Sequence, residues 1–157
     1  MALPPFQTFL DCHAAELLSF LVATVGPDEA EDCFQETCLA ALRAYPRLRA
    51  GSDLRAWAFT IARRKAIDAG RARGRRPRPV GDAEDRAGEL DGSPPAAEGS
   101  SAWEPLAGLP PKQRAAVFLR VAAELPHREV ARILDCSEEA ARRSAHEGLN
   151  RLRREMT

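Results

Sequence analysis

The segment VGDAEDRAGELDGSPPAAEGSSA, residues 80–102, sets the limits on what this chain can fold into. It holds few large apolar groups among many acids, glycines and prolines, so burial cannot offset the entropy lost in ordering it. On both sides alanine, leucine and arginine dominate, with apolar residues three or four apart. For 157 residues this division predicts an all-α protein of two small helical domains, 1–78 and 103–157, joined by a flexible acidic linker over 79–102. Each domain has a thin core and needs support from the other or from a partner.

Charge is distributed in blocks. The formal net charge is zero, yet residues 1–62 carry four basic and eight acidic groups, and 63–78 carry eight basic and one acidic. Residues 79–102 hold one Arg against six carboxylates, and 103–157 hold ten basic against eight acidic. Alternation of this kind suits several different partners better than one uniformly charged surface. No run of about 18 apolar residues and no basic stretch leading into an apolar one occurs, so membrane insertion and secretion are not expected and a cytoplasmic location is. Cys12, Cys33, Cys38 and Cys136 lie on apolar helix faces, form no CxxC pair and read as reduced core thiols; Zn ligands come in tight pairs, so Cys12, His13, Cys33 and Cys38 make a poor metal site. Neither metal nor cofactor is called for.

In the first half, Phe6, Leu10, Leu17 and Leu21 predict a helix from Phe6 to about Ala23, ended by Gly26-Pro27. Asp28 can cap a second helix to about Ala44, with Ala30, Phe34, Thr37, Cys38, Ala41 and Leu42 inward. Its other face carries Asp32, Gln35, Glu36, Leu39 and Arg43, a solvated surface by periodicity alone. Ser52 or Asp53 opens a third helix with Leu54, Trp57, Ala58, Ile61 and Ala62 inward. It runs into ARRKAIDAGRARGRRPRP, where the eight cations of 63–78 exceed what a helix dipole needs and point to contact with phosphates.

In the second half, Leu109-Pro110-Pro111 opens a helix to about Ala123 with Val117, Phe118 and Val121 apolar. HREVARIL forms a short helix with Val130, Ala131, Ile133 and Leu134 inward. After the turn Asp135-Cys136-Ser137, with Ser137 as N-cap, the last helix turns Ala141, Ala145, Gly148, Leu149 and Leu152 inward. A short helix, a three-residue turn and a longer basic helix make helix-turn-helix spacing. Glu139, Arg142, Arg143 and His146 share the outer face near the start of that helix, and arginine can bond both acceptors of guanine. Glu138 and Glu139 also complement the free N–H groups of the first turn.

Together EAEDCFQETCLAAL at 29–42, LRAWAFTIARRKAIDAGRAR at 54–73 and LAGLPPKQRAAVFLRVAAELPHREVARIL at 106–134 resemble a bacterial RNA polymerase sigma factor of the extracytoplasmic-function (ECF) type, with regions 2 and 4 only. The first two blocks are similar to the family's Ala-Glu-Asp-x-x-Gln-Glu and Ala-Trp-x-x-x-Ile-Ala-Arg-x-x-x-x-Asp helices. The resemblance implies that Asp32, Gln35, Glu36 and Leu39 grip the β′ coiled coil of core polymerase. It implies that Arg47, Arg49, Trp57, Arg63, Arg64, Lys65, Arg71 and Arg73 serve the −10 promoter element, although the spacing of Trp57 fits the core equally well. Glu139, Arg142, Arg143 and His146 would read the −35 element, with the second unit docked on the β flap and an anti-sigma factor as inhibitor. Departures are Arg64 for a frequent Asn, Asp135 for Gly in the turn, Ala140-Ala141 for Thr-Val and Glu147 for Arg.

The function this implies is promoter specificity without catalysis. The other reading is a polymerase-independent regulator that binds an operator as a helix-turn-helix dimer, which accounts for the second half alone. No nucleophile and base pair, Gly-rich phosphate loop or metal cluster suggests an enzyme.

Overall fold

Three helices wrap around phenylalanines in the first half. The computed structural model describes residues 3–75 and 100–156, with side chains over 3–72 and 104–156. The expected linker 79–102 lies almost wholly outside the described residues. Helix α1 (Phe6–Val25) ends at Gly26, whose φ of 90° lets the chain reverse directly into α2 (Pro27–Ala44). Gly26, not Asp28, holds the N-cap position; Asp28 and Glu29 lie in the first turn, where acids suit the dipole. A 3-10 turn, Tyr45–Arg47, leads toward α3 (Leu54–Arg75). Asp53 caps α3, its Oδ1 accepting from Ala56 N at 3.1 Å. The helix carries the basic run far beyond Ile61, so these cations up to Arg71 stand on rigid backbone.

The core is more aromatic than the stripes suggest. Phe9, Phe20 and Phe59 are fully buried with Leu17 and Leu21, whereas Phe6 and Leu10 are only partly covered. Leu42, expected inward, is 52% exposed: the inner line of α2 runs through Ala30, Cys33, Thr37 and Ala41. By length and composition α1 could cross a bilayer, yet Phe9, Leu17, Phe20, Leu21 and Val25 are buried here in a core shared with α2, α3 and the second unit.

A 3-10 segment, Ser100–Gly108, returns the chain along α1, and α4 (Pro111–Val117) follows with Pro111 in its first turn. The predicted helix to Ala123 is regular only to Val117. It continues as a wide π turn, Phe118–Ala122, and closes at Glu124 with φ 55°. This rotation turns Leu119 inward and leaves Val121 54% exposed, the reverse of the expected pattern for Val121. Helix α5 (His127–Leu134) buries Val130, Ala131, Ile133 and Leu134. Asp135 then takes the left-handed conformation, φ 57°, that glycine adopts more easily. Ser137 caps α6 (Glu138–Met156), its Oγ accepting from Ala140 N at 3.0 Å. Ala141, Ala145 and Gly148 of α6 are buried, Leu149 and Leu152 partly so.

The two units share one core. Phe20 of α1 stands edge-on between Phe59 and Phe118, at centroid distances of 5.3 and 5.5 Å. Arg114, 3% exposed, donates from Nη1 to Thr24 O at 2.6 Å and from Nε and Nη2 to Leu109 O. Helix α1 has no basic residue in its last turn, and Arg114 from the other unit satisfies a carbonyl there.

Candidate nucleic-acid and polymerase interfaces

Helix periodicity places Asp32, Gln35, Glu36 and Leu39 on one side of α2, and all four are exposed. Leu39 and Leu42 add apolar surface beside the carboxylates, Leu39 being 47% exposed. Glu36 Oε1 lies 4.0 Å from Lys65 Nζ, so this face touches the basic run of α3. Acid and exposed leucine side by side suit a partner surface that is basic and partly apolar.

The described residues assigned by resemblance to the −10 element fall into four settings. Arg47 and Arg49 are exposed on the connection before α3, which Ser52 braces by donating from Oγ to Arg49 O at 2.7 Å. Arg64 and Arg71 project into solvent from α3. Arg63 instead is half-buried toward the second unit, its Nε shielded from solvent and without a hydrogen-bond acceptor. Burial lowers the pKa of its guanidinium, offset in part by Cys136 nearby. Trp57 packs into an aromatic cluster, 5.6 Å from Phe9 and 6.1 Å from Tyr45, whose hydroxyl donates to Pro4 O. The side chain of Arg73 lies outside the described residues.

On α6, Glu139, Arg142, Arg143 and His146 are all exposed on the outer face. Arg142 pairs with Glu138 at 3.2 Å, and His146 Nε2 is hydrogen-bonded to Asn150 Nδ2 at 3.1 Å. Beside them lies an open cleft of about 410 Å³ lined by Arg120, Glu124, Pro126, His127, Arg128, Glu138 and Arg142. Burial, then Arg120 and Arg142, push the pKa of His127 down. Three arginines converge there from the π turn, α5 and α6, which linear spacing does not reveal.

Among the described residues, no group of three His, Cys, Asp or Glu side chains could hold a metal ion. None of the four cysteines is in a disulfide: Cys33 is buried and Cys38 and Cys136 half-buried, whereas Cys12, expected in the core, is exposed.

Residues 9–76 match the family Sigma-70 region 2, and residues 103–152 match Sigma-70, region 4. The ECF RNA polymerase sigma factor ShbA of Streptomyces griseus is 38% identical over 132 residues, covering 78% of this chain and 69% of that protein. The chain belongs to the ECF sigma factor family. ECF RNA polymerase sigma factor SigD of Mycobacterium tuberculosis is 37% identical over 134 residues, 81% of this chain and 63% of that protein, so this sigma factor spans about two thirds of the length of such relatives. Its fold is similar to that of the sigma factor RpoE from Bartonella quintana, solved with the anti-sigma factor NepR: TM-score 0.74 and 24% identity, over 95% of this chain and 94% of that one. It is also similar to CnrH, solved with the cytosolic domain of CnrY, at TM-score 0.69 and 20% identity, over 96% and 86% of the two chains.

Sequence reasoning missed three features of this sigma factor. Leu42 extends the exposed apolar strip of α2, and its spacing of three from Leu39 was the available signal. Arg55 and Arg114, which tie the units together, carry no signal in the pattern, because their acceptors Ala123 O and Thr24 O are 68 and 90 residues away.

Proposed function

We propose that this sigma factor binds core RNA polymerase, recognises −10 and −35 promoter elements and helps open DNA for initiation, with no catalytic activity of its own. The ordered pair of family matches carries this reading, and the polymerase-independent operator binder leaves the first match unexplained. Residues 1–78 form the polymerase and −10 unit, 79–102 the linker and 103–157 the −35 unit. Asp32, Gln35, Glu36 and Leu39 meet the β′ coiled coil, with basic groups on the partner opposite the carboxylates.

Arg47, Arg49, Arg64, Lys65 and Arg71 hold promoter phosphates, joined by Arg63 and Arg73, and the second unit docks on the β flap. Arg142 and Arg143 read base edges, with Glu139 and His146 beside them. The packing of Trp57 with Phe9 and Tyr45 favours a structural role for that ring. The similar RpoE structure contains a sigma factor with the anti-sigma factor NepR, which supports an anti-sigma factor as the inhibitor of this chain in the cytoplasm.

Run-off transcription with core polymerase on genomic fragments tests the reading. Promoter-dependent RNA is expected, and its complete absence in the inhibitor-free reaction would sink it. Asp32→Arg should weaken core binding while sparing DNA contacts. Arg143→Ala should change −35 preference by about 1 to 3 kcal/mol if it makes a bidentate guanine contact; equal loss on every sequence would make it a phosphate contact.

A further inference from the structure

The open cleft beside the outer face of α6 gathers charged side chains from three elements. The π turn supplies Arg120, with Glu124 just after it; α5 supplies His127 and Arg128; α6 supplies Glu138 and Arg142. Arg120 Nη1 donates to Leu125 O at 3.3 Å, and Arg142 Nη2 pairs with Glu138 Oε2 at 3.2 Å, so both arginines are held at the cleft. Guanidinium forks suit the oxygens of a phosphodiester, and Arg142 belongs both to this cleft and to the outer face of α6.

His127 is the lining residue whose charge is not fixed near neutral pH. Its Nδ1 is shielded from solvent and has no hydrogen-bond partner, so protonating the ring breaks no existing bond at that nitrogen. Burial, then Arg120 and Arg142, oppose a positive charge on the ring, Glu138 favours one, and the balance holds its pKa below the ordinary histidine value. Glu124 and Arg128 complete the charged surroundings. With the ring neutral, three arginines face two carboxylates; a proton on His127 doubles that excess of one positive charge.

A phosphate between Arg120 and Arg142 reverses the balance. Its negative charge offsets the guanidiniums that keep the ring neutral, and its oxygens accept hydrogen bonds but donate none, which suits an imidazolium with two N–H groups. We propose that His127 takes up a proton from solvent when a DNA phosphate seats in this cleft, so that the C-terminal unit grips DNA more tightly as the pH falls. No covalent bond is made or broken, and the phosphodiester keeps its charge. The proposal rests on reading 103–157 as a DNA-binding unit. The pKa of His127 is low in the free chain and higher with DNA bound. Above the bound value neither state holds the proton and affinity is constant; affinity rises as the pH falls between the two values and levels off below the free one, where both states hold it.

The full chain and His127→Gln are compared on a short mixed-sequence duplex by fluorescence anisotropy at pH 8 and pH 6, at one ionic strength. Wild type should gain several-fold more affinity than H127Q between the two. His146→Gln, on the outer face of α6, is the control for a proton taken up elsewhere: whatever its affinity, H146Q should keep the wild-type gain. Equal gains for wild type and H127Q, or a gain lost in H146Q alone, overturn the proposal.

NMR of the His127 ring Cε1–H in the wild-type chain tests the same point without relying on the stability of a variant. Its titration midpoint should rise when the duplex is added, and a fixed or falling midpoint overturns the proposal. Inorganic phosphate at the same phosphate concentration should raise it less; an equal rise would make the cleft a site for free phosphate and overturn the link to DNA. Run-off transcription separates the two readings. A chain that starts transcription normally while its His127 midpoint stays fixed loses the proton linkage alone. One whose midpoint rises with duplex but that makes no promoter-dependent RNA loses the sigma-factor reading and keeps a proton-linked DNA cleft.

Discussion

The seam at Arg114 and the seam at Arg63 both bury a guanidinium between the same two units, and they treat it in opposite ways. Arg114 is 3% exposed and has acceptors for Nε, Nη1 and Nη2, two of them on Leu109 O and one on the C-terminal turn of α1. Arg63 is half-buried with Nε unpartnered. A buried cation with its donors satisfied holds a structure together, whereas one left wanting acceptors opposes the packing that covers it. One seam is built to hold. The other leaves a shielded donor without an acceptor.

The first seam should therefore respond most to truncation. Phe20 has no exposed surface and touches Phe59 in its own unit and Phe118 in the other. Phe20→Ala should lower unfolding free energy by about 3 to 5 kcal/mol, measured by urea unfolding followed by circular dichroism. A loss under about 1 kcal/mol would mean that the aromatic contact between units does not form in solution. Arg114→Met keeps much of the apolar stem and removes the donors to Thr24 O and Leu109 O. Hydrogen bonds to a charged group contribute about 1.5 to 3 kcal/mol, so a loss of about 2 to 3 kcal/mol is expected. A neutral result would erase the contrast between the two arginines.

The elements were legible in the sequence and the seams were not. Periodicity located the helices because each has its own apolar stripe, and Val130, Ala131, Ile133 and Leu134 fell inward as expected. It misplaced Val121 because the π turn after Val117 adds a residue to the local turn and rotates everything beyond it. It misplaced Leu42 because α2 packs through small residues, Ala30, Cys33, Thr37 and Ala41, and leaves a larger one outside. The exposed faces of α2 and α6 followed from helix spacing, and their expected partners from resemblance. That Arg63 would be covered while Arg64 stayed open depends on where α5 lies, more than 60 residues later, and no local pattern encodes that.

A third substitution leaves both seams alone. Gly148 of α6 faces α4 so closely that an added Cβ would stand 2.6 Å from Val117 Cγ2 and 3.4 Å from Gln113 O. The β-branched valine has little rotamer freedom with which to move aside. Overpacking costs about 1 to 3 kcal/mol, and alanine regains up to about 1 kcal/mol of helix propensity, so Gly148→Ala should be net destabilising by about 1 kcal/mol. This contact lies within the second unit. Thiol labelling of Cys136, which lies near Arg63, should keep its wild-type rate, and a faster one would mean that the fit of α6 on α4 also governs the seam at Arg63.

The smallest effect expected is the most telling about Arg63. Arg63→Met replaces a half-buried guanidinium, whose Nε has no acceptor, by an apolar side chain that can occupy much of the same path. Taking away an unsatisfied donor removes a desolvation penalty and little else, so urea unfolding of the free chain should show no loss and a gain of up to about 1 kcal/mol. Burial already disfavours the charged form of this side chain, which points in the same direction. The apolar replacement should also tighten the seam at Arg63, slowing Cys136 labelling. A loss of 1 kcal/mol or more would mean that Arg63 has acceptors in solution, and the two seams would then be alike.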